Sequence, residues 1–151
     1  MITGVRIALD VGSVRIGVAK CDREGLLATP LITIAAGPVA LHEIVALVKD
    51  HDAICVYVGK PISLAGNETA STKYAWDFAR ELSALLVNSQ TCVRMIDERL
   101  STVSAQRGMR EVGRSVKQSR DAIDQAAAVV ILEHALDSER HSEGFVGEEV
   151  S

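Results

Sequence analysis

The sequence predicts a mixed α/β fold in which helices flank a five-stranded sheet. Two apolar runs, at residues 6–11 and 16–21, are separated by a short connection that contains a glycine, a pattern typical of an antiparallel hairpin. From residue 53 onward, short apolar runs alternate with segments of helical periodicity, and a helix between two strands lets those strands lie parallel. We therefore expect three antiparallel strands first and parallel strands after them.

The elements in the first half follow from periodicity and turn residues. A third strand is predicted at residues 26–34, and a short β-branched run at 53–59 predicts a strand buried on both faces. Between them, four apolar residues recur at helical spacing and predict an amphipathic helix: Leu41, Ile44, Val45 and Val48. A second helix is predicted at 73–86, with Ser71 or Thr72 as its N-cap.

The second half continues the alternation. A strand is predicted at residues 92–96, and the last and strongest helix at 120–136. The final dozen residues are polar and acidic and show no periodicity. We expect one domain at residues 1–138, followed by an acidic, flexible tail at 139–151.

Composition limits the class of protein. With 151 residues and 48% hydrophobic composition, the chain is long enough for one core. No apolar run approaches the roughly 20 residues of a membrane span, and no signal peptide is recognisable. We expect a cytoplasmic protein with no membrane partner. Its three cysteines have no CxxC spacing, which argues against a zinc site and a disulfide framework.

The charge is unevenly distributed. The net charge is -4, but residues 133–151 hold six of the twenty acidic residues and one basic residue, so the rest of the chain is near neutral. Residues 94–120 carry seven basic side chains against three acidic ones: Arg94, Arg99, Arg107, Arg110, Arg114, Lys117 and Arg120. This segment is either an electrostatic footprint for phosphate or a solvated helix and loop.

Carboxylates follow two of the predicted strands. Asp10 ends the first strand, where a charge is costly unless it faces a cleft, pairs or binds a cation; the alternative is a turn-forming aspartate before Gly12. Asp97 and Glu98 follow the strand at 92–96, and only one of the two can face a shared site because neighbours on a strand point to opposite faces. A solvent-facing pair beside Arg99 is the alternative.

A third carboxylate lies on the last predicted helix. Asp124 shares a stripe with Ala128, Ile131 and Ala135, so it lies on the apolar face that packs against the sheet. The alternative is that Asp124 merely stabilises the helix N-terminus, a role that Asp121 could fill as well.

Three carboxylates brought together would repel one another unless a cation joined them. Magnesium and manganese take oxygen ligands from a few carboxylates and a substrate phosphate. One or two such ions can activate water for attack on phosphorus. The residues therefore suggest phosphodiester hydrolysis.

Four segments carry a family resemblance: "ALDVGSVRIGVAKCD", "VGKPISLAGNET", "IDERLSTVSAQR" and "GRSVKQSRDAIDQAAAVVIL". In this order they resemble the signature blocks of the YqgF family, also called RuvX, over about residues 8 to 132. The resemblance implies a ribonuclease H-like fold and a nuclease that matures the 5′ end of bacterial pre-16S rRNA. Some members are instead described as Holliday junction resolvases.

The resemblance also implies a catalytic, metal-binding site. Its acidic residues map by position to Asp10, Glu98 and Asp124, with Asp97 in reserve, and these would hold one or two Mg²⁺ or Mn²⁺ ions. Gly12, Gly17 and Arg15 match the family's hairpin between the first two strands. Lys60 departs from the pattern, because an apolar residue is common there; it either adds a phosphate contact or is simply exposed.

The expected nucleic-acid contacts are basic: Arg15, Lys60, Arg99, Arg107, Arg110, Arg114 and Lys117. Only five aromatic residues occur, so recognition should depend on shape and backbone rather than on stacked bases. Pre-rRNA is the expected partner and branched DNA the alternative. A weak homodimer is a further hypothesis, because resolvases cut two strands symmetrically.

Two rival functions remain open. The first hairpin also resembles the ATP-binding hairpin of the actin, Hsp70 and sugar kinase group, but those proteins need two lobes; nucleotide binding by calorimetry would separate them from a nuclease. A non-catalytic module that holds RNA or a ribosome-assembly partner is the other. Mutation of Asp10 would abolish the function of a nuclease and leave a pure binder largely intact.

Overall fold

A computed structural model describes residues 2–63, 65–97 and 116–151, with side chains in the last range from residue 120 onward. In this part of the chain, six strands and three helices follow one another. The strands are β1 (Val5–Val11), β2 (Arg15–Cys21), β3 (Ala28–Ala35), β4 (Ala53–Lys60), β5 (Cys92–Asp97) and β6 (Glu148–Glu149). The helices are α1 (Ala40–Asp50), α2 (Ala70–Leu85) and α3 (Val116–Ser142).

The strands form one mixed sheet in the order β3-β2-β1-β4-β5-β6. The first three strands pair antiparallel, whereas β1 with β4 and β4 with β5 pair parallel. This confirms the predicted class and strand directions. The expected number of five strands is corrected to six within the described residues, because β6 pairs antiparallel with β5. A two-residue strand is too short to leave an alternating pattern in the sequence.

Side chains of the sheet alternate between two apolar layers. Ile7 and Leu9 belong to the layer covered by α1 and α2, here the α1/α2 layer. Ala8, between them, belongs to the layer covered by α3, here the α3 layer. On β5, Met95 faces the α1/α2 layer and Ile96 the α3 layer. The alternation therefore assigns each carboxylate at a strand end to one face of the sheet.

Helix α3 packs on the sheet through the predicted stripe. Ala128, Ile131 and Ala135 are fully or almost fully buried in the α3 layer, which confirms that prediction. Alanines on this stripe let the helix approach the strands closely. Among the described helices, α3 included, none combines the length and the apolar character that a bilayer crossing requires.

Helix α2 begins with a capping box. The Thr69 hydroxyl accepts a hydrogen bond from the Thr72 backbone N–H, and the Thr72 hydroxyl accepts one from Thr69 N–H at 2.9 Å. The expected N-cap of Ser71 or Thr72 is therefore corrected to Thr69. Hydroxyl residues lie just before the helix and within its first turn, and only the backbone conformation decides which of them is the N-cap. The Thr72 hydroxyl also donates to the Pro61 carbonyl, which joins α2 to the segment after β4.

The C-terminal residues have defined structure where a flexible tail was expected from residue 139. Helix α3 continues to Ser142, and β6 then pairs with β5. Val150 is buried, its N–H donates to Val93 O at 2.9 Å, and its carbonyl accepts from Ser83 Oγ at 3.0 Å. The edge of β5 offers unpaired backbone groups, which any sequence without proline can satisfy. Side-chain patterning therefore could not reveal this pairing.

A buried polar network joins the two ends of the chain. Arg6 Nη2 donates to Glu139 Oε1 at 2.8 Å, and Tyr57 Oη donates to Glu139 Oε2 at 2.5 Å. All three residues are buried. Because Glu139 would be a costly buried charge without these partners, the contacts make this residue part of the core.

Candidate metal centre and nucleic-acid interface

Asp10 lies near the end of β1, on the face of the sheet covered by α3. Ala8 belongs to the α3 layer, so Asp10, two residues further along the strand, faces the same side. Burial, together with the charge of Asp124 as the smaller cause, raises the pKa of its carboxyl to about 6. The two carboxylates are therefore close enough to interact.

Gly17 explains why Asp124 can approach Asp10. Gly17 is the cross-strand neighbour of Asp10 in the β1–β2 pair. A Cβ on Gly17 would lie only 2.0 Å from the Asp124 carbonyl oxygen. Since no real side chain tolerates that separation, β2 must carry glycine at the point where α3 crosses it.

Arg15 is the partner of Asp124. Its Nε donates to Asp124 Oδ2 at 2.8 Å, and both side chains are partly buried. Arg15 is held by the hairpin turn, because Gly12 N–H donates to its carbonyl at 2.9 Å. A Cβ on Gly12 would lie 2.8 Å from the same oxygen. Gly12 thus lies in the turn, whereas Gly17 lies within β2.

The position of Asp124 argues against the alternative role at a helix N-terminus. Helix α3 begins at Val116, more than two turns before Asp124. The electrostatic effect of a helix end fades within the first turn. The contacts of Asp124 are instead with Arg15 and with the β2 backbone at Gly17.

Thr33 and Gln125 position α3 and were not foreseen from the sequence. Thr33 Oγ1 donates to Asp121 O at 3.1 Å and accepts from Gln125 Nε2 at 2.9 Å. Thr33 is the cross-strand neighbour of Gly17, so both contacts hold the helix beside Asp124. A threonine in a predicted strand carries no signal of such a contact before the register of β2 with β3 is known.

Asp97 ends β5 on the other face of the sheet. Met95 faces the α1/α2 layer and Ile96 the α3 layer, so the alternation assigns Asp97 to the α1/α2 side. Its register partner on β4 is Lys60. Asp10 and Asp97 therefore lie at strand ends but on opposite faces. Glu98 lies outside the described residues.

Of the basic residues expected to bind nucleic acid, the structure describes the side chains of two. Arg15 lies beside Asp124, and Lys60 lies at the end of β4 near Trp76 of α2. The others lie outside the described side chains: Arg99, Arg107, Arg110, Arg114 and Lys117.

The donor chemistry at Asp10 and Asp124 fits a hard divalent cation. Two neighbouring carboxylates offer oxygen ligands, and the raised pKa of Asp10 shows that its negative charge is poorly compensated. Within the described residues, no three His, Cys, Asp or Glu side chains are grouped so that they could hold a metal ion. The pair can thus provide part of a metal site.

A family model and sequence relatives match most of this chain. A family model described as "RuvX: Holliday junction resolvase" matches residues 4–138. A protein from Leifsonia xyli is 48% identical over 142 residues, which are 93% of this chain and 90% of the relative. A protein from Streptomyces avermitilis is 44% identical over 149 residues, 97% of this chain and 94% of the relative. Both relatives carry the name "Putative pre-16S rRNA nuclease".

Solved structures show the same fold. The structure of T. thermophilus RuvC in complex with Holliday junction substrate superposes with a TM-score of 0.60 at 13% identity. The match covers 97% of this chain and 99% of RuvC. At this identity the likeness establishes the fold, which confirms the expected ribonuclease H-like architecture. The family match over residues 4–138, together with relatives that are nearly half identical, shows that the chain belongs to the RuvX family.

Proposed function

We propose that this protein is a metal-dependent endonuclease that processes the 5′ end of pre-16S rRNA in ribosome biogenesis. One observation carries the proposal: Asp10 and Asp124 meet beside Arg15 on one face of the sheet. The names of the relatives support rRNA as the substrate and phosphodiester hydrolysis as the reaction. We also propose that the protein acts in the cytoplasm.

The proposed ligands are Asp10, Glu98 and Asp124, with Asp97 in reserve. Asp97 lies on the opposite face from Asp10, which favours Glu98 as the third carboxylate. Mg²⁺ or Mn²⁺, as one ion or two, would supply a water of lowered pKa and stabilise the charge that develops on the phosphate. Arg15 orients the Asp124 carboxylate through its 2.8 Å hydrogen bond. Asp10 holds a proton below about pH 6 and in that form is a poor ligand.

The proposed nucleic-acid contacts are basic residues of the β1–β2 hairpin, of β4 and of the segment that follows β5. Arg15 and Lys60 would contact phosphates near the ends of β2 and β4. The same function is proposed for the basic residues that follow β5: Arg99, Arg107, Arg110, Arg114 and Lys117. Gly12 and Gly17 serve as structural residues that let the hairpin and α3 come together.

Junction resolution is the second candidate function. The family description and the fold shared with RuvC favour branched DNA as the alternative substrate. Because a resolvase cuts two strands symmetrically, this candidate also requires a homodimer. The third possible function is that of a binding module without catalysis, and an experiment must distinguish it from both kinds of nuclease.

The test is cleavage of a labelled pre-16S rRNA leader fragment and of a four-way DNA junction with Mn²⁺ or Mg²⁺. Asp10→Asn, Glu98→Gln and Asp124→Asn should abolish cleavage. Asp121→Asn removes the same charge one helical turn before Asp124, and this variant should still cleave the substrate. Asp97→Asn tests whether Asp97 or Glu98 is the third ligand. This variant should cleave normally if Glu98 is the third carboxylate.

Cleavage of the RNA alone, lost in the three variants, supports rRNA processing. Cleavage of the junction alone would transfer the function to recombination. If wild type cuts neither substrate while all variants still bind RNA, the catalytic proposal is wrong and the protein is a binding module.

A further inference from the structure

The Lys60 ammonium lies at the end of β4, on the face of the sheet opposite to Asp10. The Lys60 ammonium lies 5.7 Å from the centroid of the Trp76 ring, and the Arg80 guanidinium lies 5.1 Å from it. Cation–π contacts of this kind favour these positions of the ammonium and guanidinium groups over the ring. The side chain of Lys60 is only 14% exposed, so it is not the simply exposed lysine that the sequence left open.

These residues line a cavity of about 330 Å³, here called the Lys60 groove. Its charged and aromatic lining is Lys60, Glu68, Lys73, Trp76, Arg80 and Glu148. Because two cations already lie against the Trp76 ring, the groove suits an anion better than a stacked base. The anionic groups now beside Lys60 are two carboxylates, one from the loop before α2 and one from β6.

Glu148 is the closer of the two. Its Oε1 accepts a hydrogen bond from Lys60 Nζ at 2.8 Å, whereas Glu68 Oε1 lies 3.7 Å from the same nitrogen. The hydrogen bond to Glu148 raises the pKa of the Lys60 ammonium, although burial opposes it. Lys60 is largely buried, but the Glu148 side chain is 58% exposed. Another anion could therefore take the place of Glu148 without being removed from water.

The backbone of β6 is held independently of this ion pair. Arg94 donates from Nε to Val146 O at 2.5 Å and from Nη2 to Gly147 O at 3.0 Å. Val150, beyond β6, is buried against the core. Rotation of the Glu148 side chain would release Lys60 while the strand stays paired with β5.

We propose that the Lys60 groove binds a backbone phosphate of single-stranded RNA, and that Glu148 occupies this phosphate position in the free protein. The C-terminal strand then competes with the substrate for Lys60. This inference rests on the proposed function, because the phosphate belongs to the strand that the Asp10 site would cut. Neighbouring parallel strands place Lys60 at the same end of the sheet as Asp10. Since the two residues face opposite sides of the sheet, a nucleic-acid strand that contacts both would have to pass over the strand ends.

The experiment measures equilibrium binding of a labelled single-stranded RNA by fluorescence anisotropy, with EDTA present so that no cleavage occurs. Glu148→Gln should lower the Kd roughly two- to fivefold at low salt, the effect of one exposed ion pair. Lys60→Gln should weaken binding and reduce the salt dependence by about one phosphate contact, whereas Lys60→Arg should retain binding. The double variant should bind like Lys60→Gln alone, because Glu148 acts only through Lys60.

Glu149→Gln is the matched control, since it removes the same charge from the same strand and should leave the Kd unchanged. Equal tightening by the Glu148 and Glu149 variants would overturn the proposal in favour of net charge alone. No tightening by Glu148→Gln, together with a lower free energy of unfolding, would make the ion pair purely structural. The binding pattern in EDTA is independent of catalysis. The proposal for the Lys60 groove can therefore be confirmed even if Asp10→Asn leaves cleavage unchanged. It can also be wrong even if that variant is inactive.

Discussion

Gly17 and the Asp124 carbonyl oxygen are so close that a Cβ on Gly17 would lie 2.0 Å from that oxygen. The contact lets α3 cross β2 directly beside the cross-strand partner of Gly17, which is Asp10. The distance between the two carboxylates thus depends on a residue that carries no functional group.

We expect Gly17→Ala to displace α3 from β2, to lower the free energy of unfolding by about 1–3 kcal/mol and to abolish cleavage. Gly144→Ala is the control, because no atom of the described residues, chain neighbours aside, lies within 4 Å of a Cβ there. Urea unfolding and RNA cleavage measure the two effects. Full cleavage by Gly17→Ala would show that the close approach of α3 is not required.

Asp10→Asn should stabilise the metal-free protein at neutral pH. The pKa of Asp10 rises from 3.8 to about 6 on folding, so the folded state binds the proton more tightly than the unfolded state. The carboxylate therefore costs stability that is absent below about pH 4 and fully present above about pH 6, on the order of 1–3 kcal/mol. Unfolding of both proteins in EDTA across this range measures the difference. If the gain in free energy of unfolding did not decrease as the pH falls, the raised pKa assigned to Asp10 would be wrong.

Divalent cations should stabilise the wild type through the same carboxylates. Ligand that binds only the folded state raises the midpoint of thermal unfolding, and saturating Mn²⁺ should raise the Tm by a few degrees. The shift should disappear in Asp10→Asn and Asp124→Asn and persist in Asp121→Asn. Calorimetry gives the affinity directly. An equal shift in all four proteins would place the metal elsewhere.

The buried network around Glu139 should make residues beyond 138 essential for folding. Arg6→Met leaves Glu139 as an uncompensated buried charge, and we expect a loss of about 3–5 kcal/mol. Tyr57→Phe removes one neutral donor and should cost about 1–3 kcal/mol. Asp137→Asn is the control, because its ion pair with Arg140 is exposed and long at 3.9 Å. A chain cut after residue 138 that keeps wild-type stability would contradict the importance of this network.

Local patterns in the sequence were enough to predict the class of fold and the face of α3 that packs on the sheet. Alternating and helical periodicities are local properties, and they predicted the hairpin, the strand directions and the apolar stripe that carries Asp124. The Asp10 carboxylate at the end of an apolar strand could be recognised for the same reason, because its cost is visible in its immediate neighbours.

Contacts between residues far apart in the chain could not be predicted in this way and became known from the packed structure. The pairing of β6 with β5 depends on backbone groups, which do not differ with the side chain. It therefore cannot be predicted from a pattern of side chains. The contact of Gly17 with Asp124, and the burial of Glu139 between Arg6 and Tyr57, join positions far apart in the chain. Periodicity describes which way a side chain points from its own element, whereas its partner depends on how the elements pack.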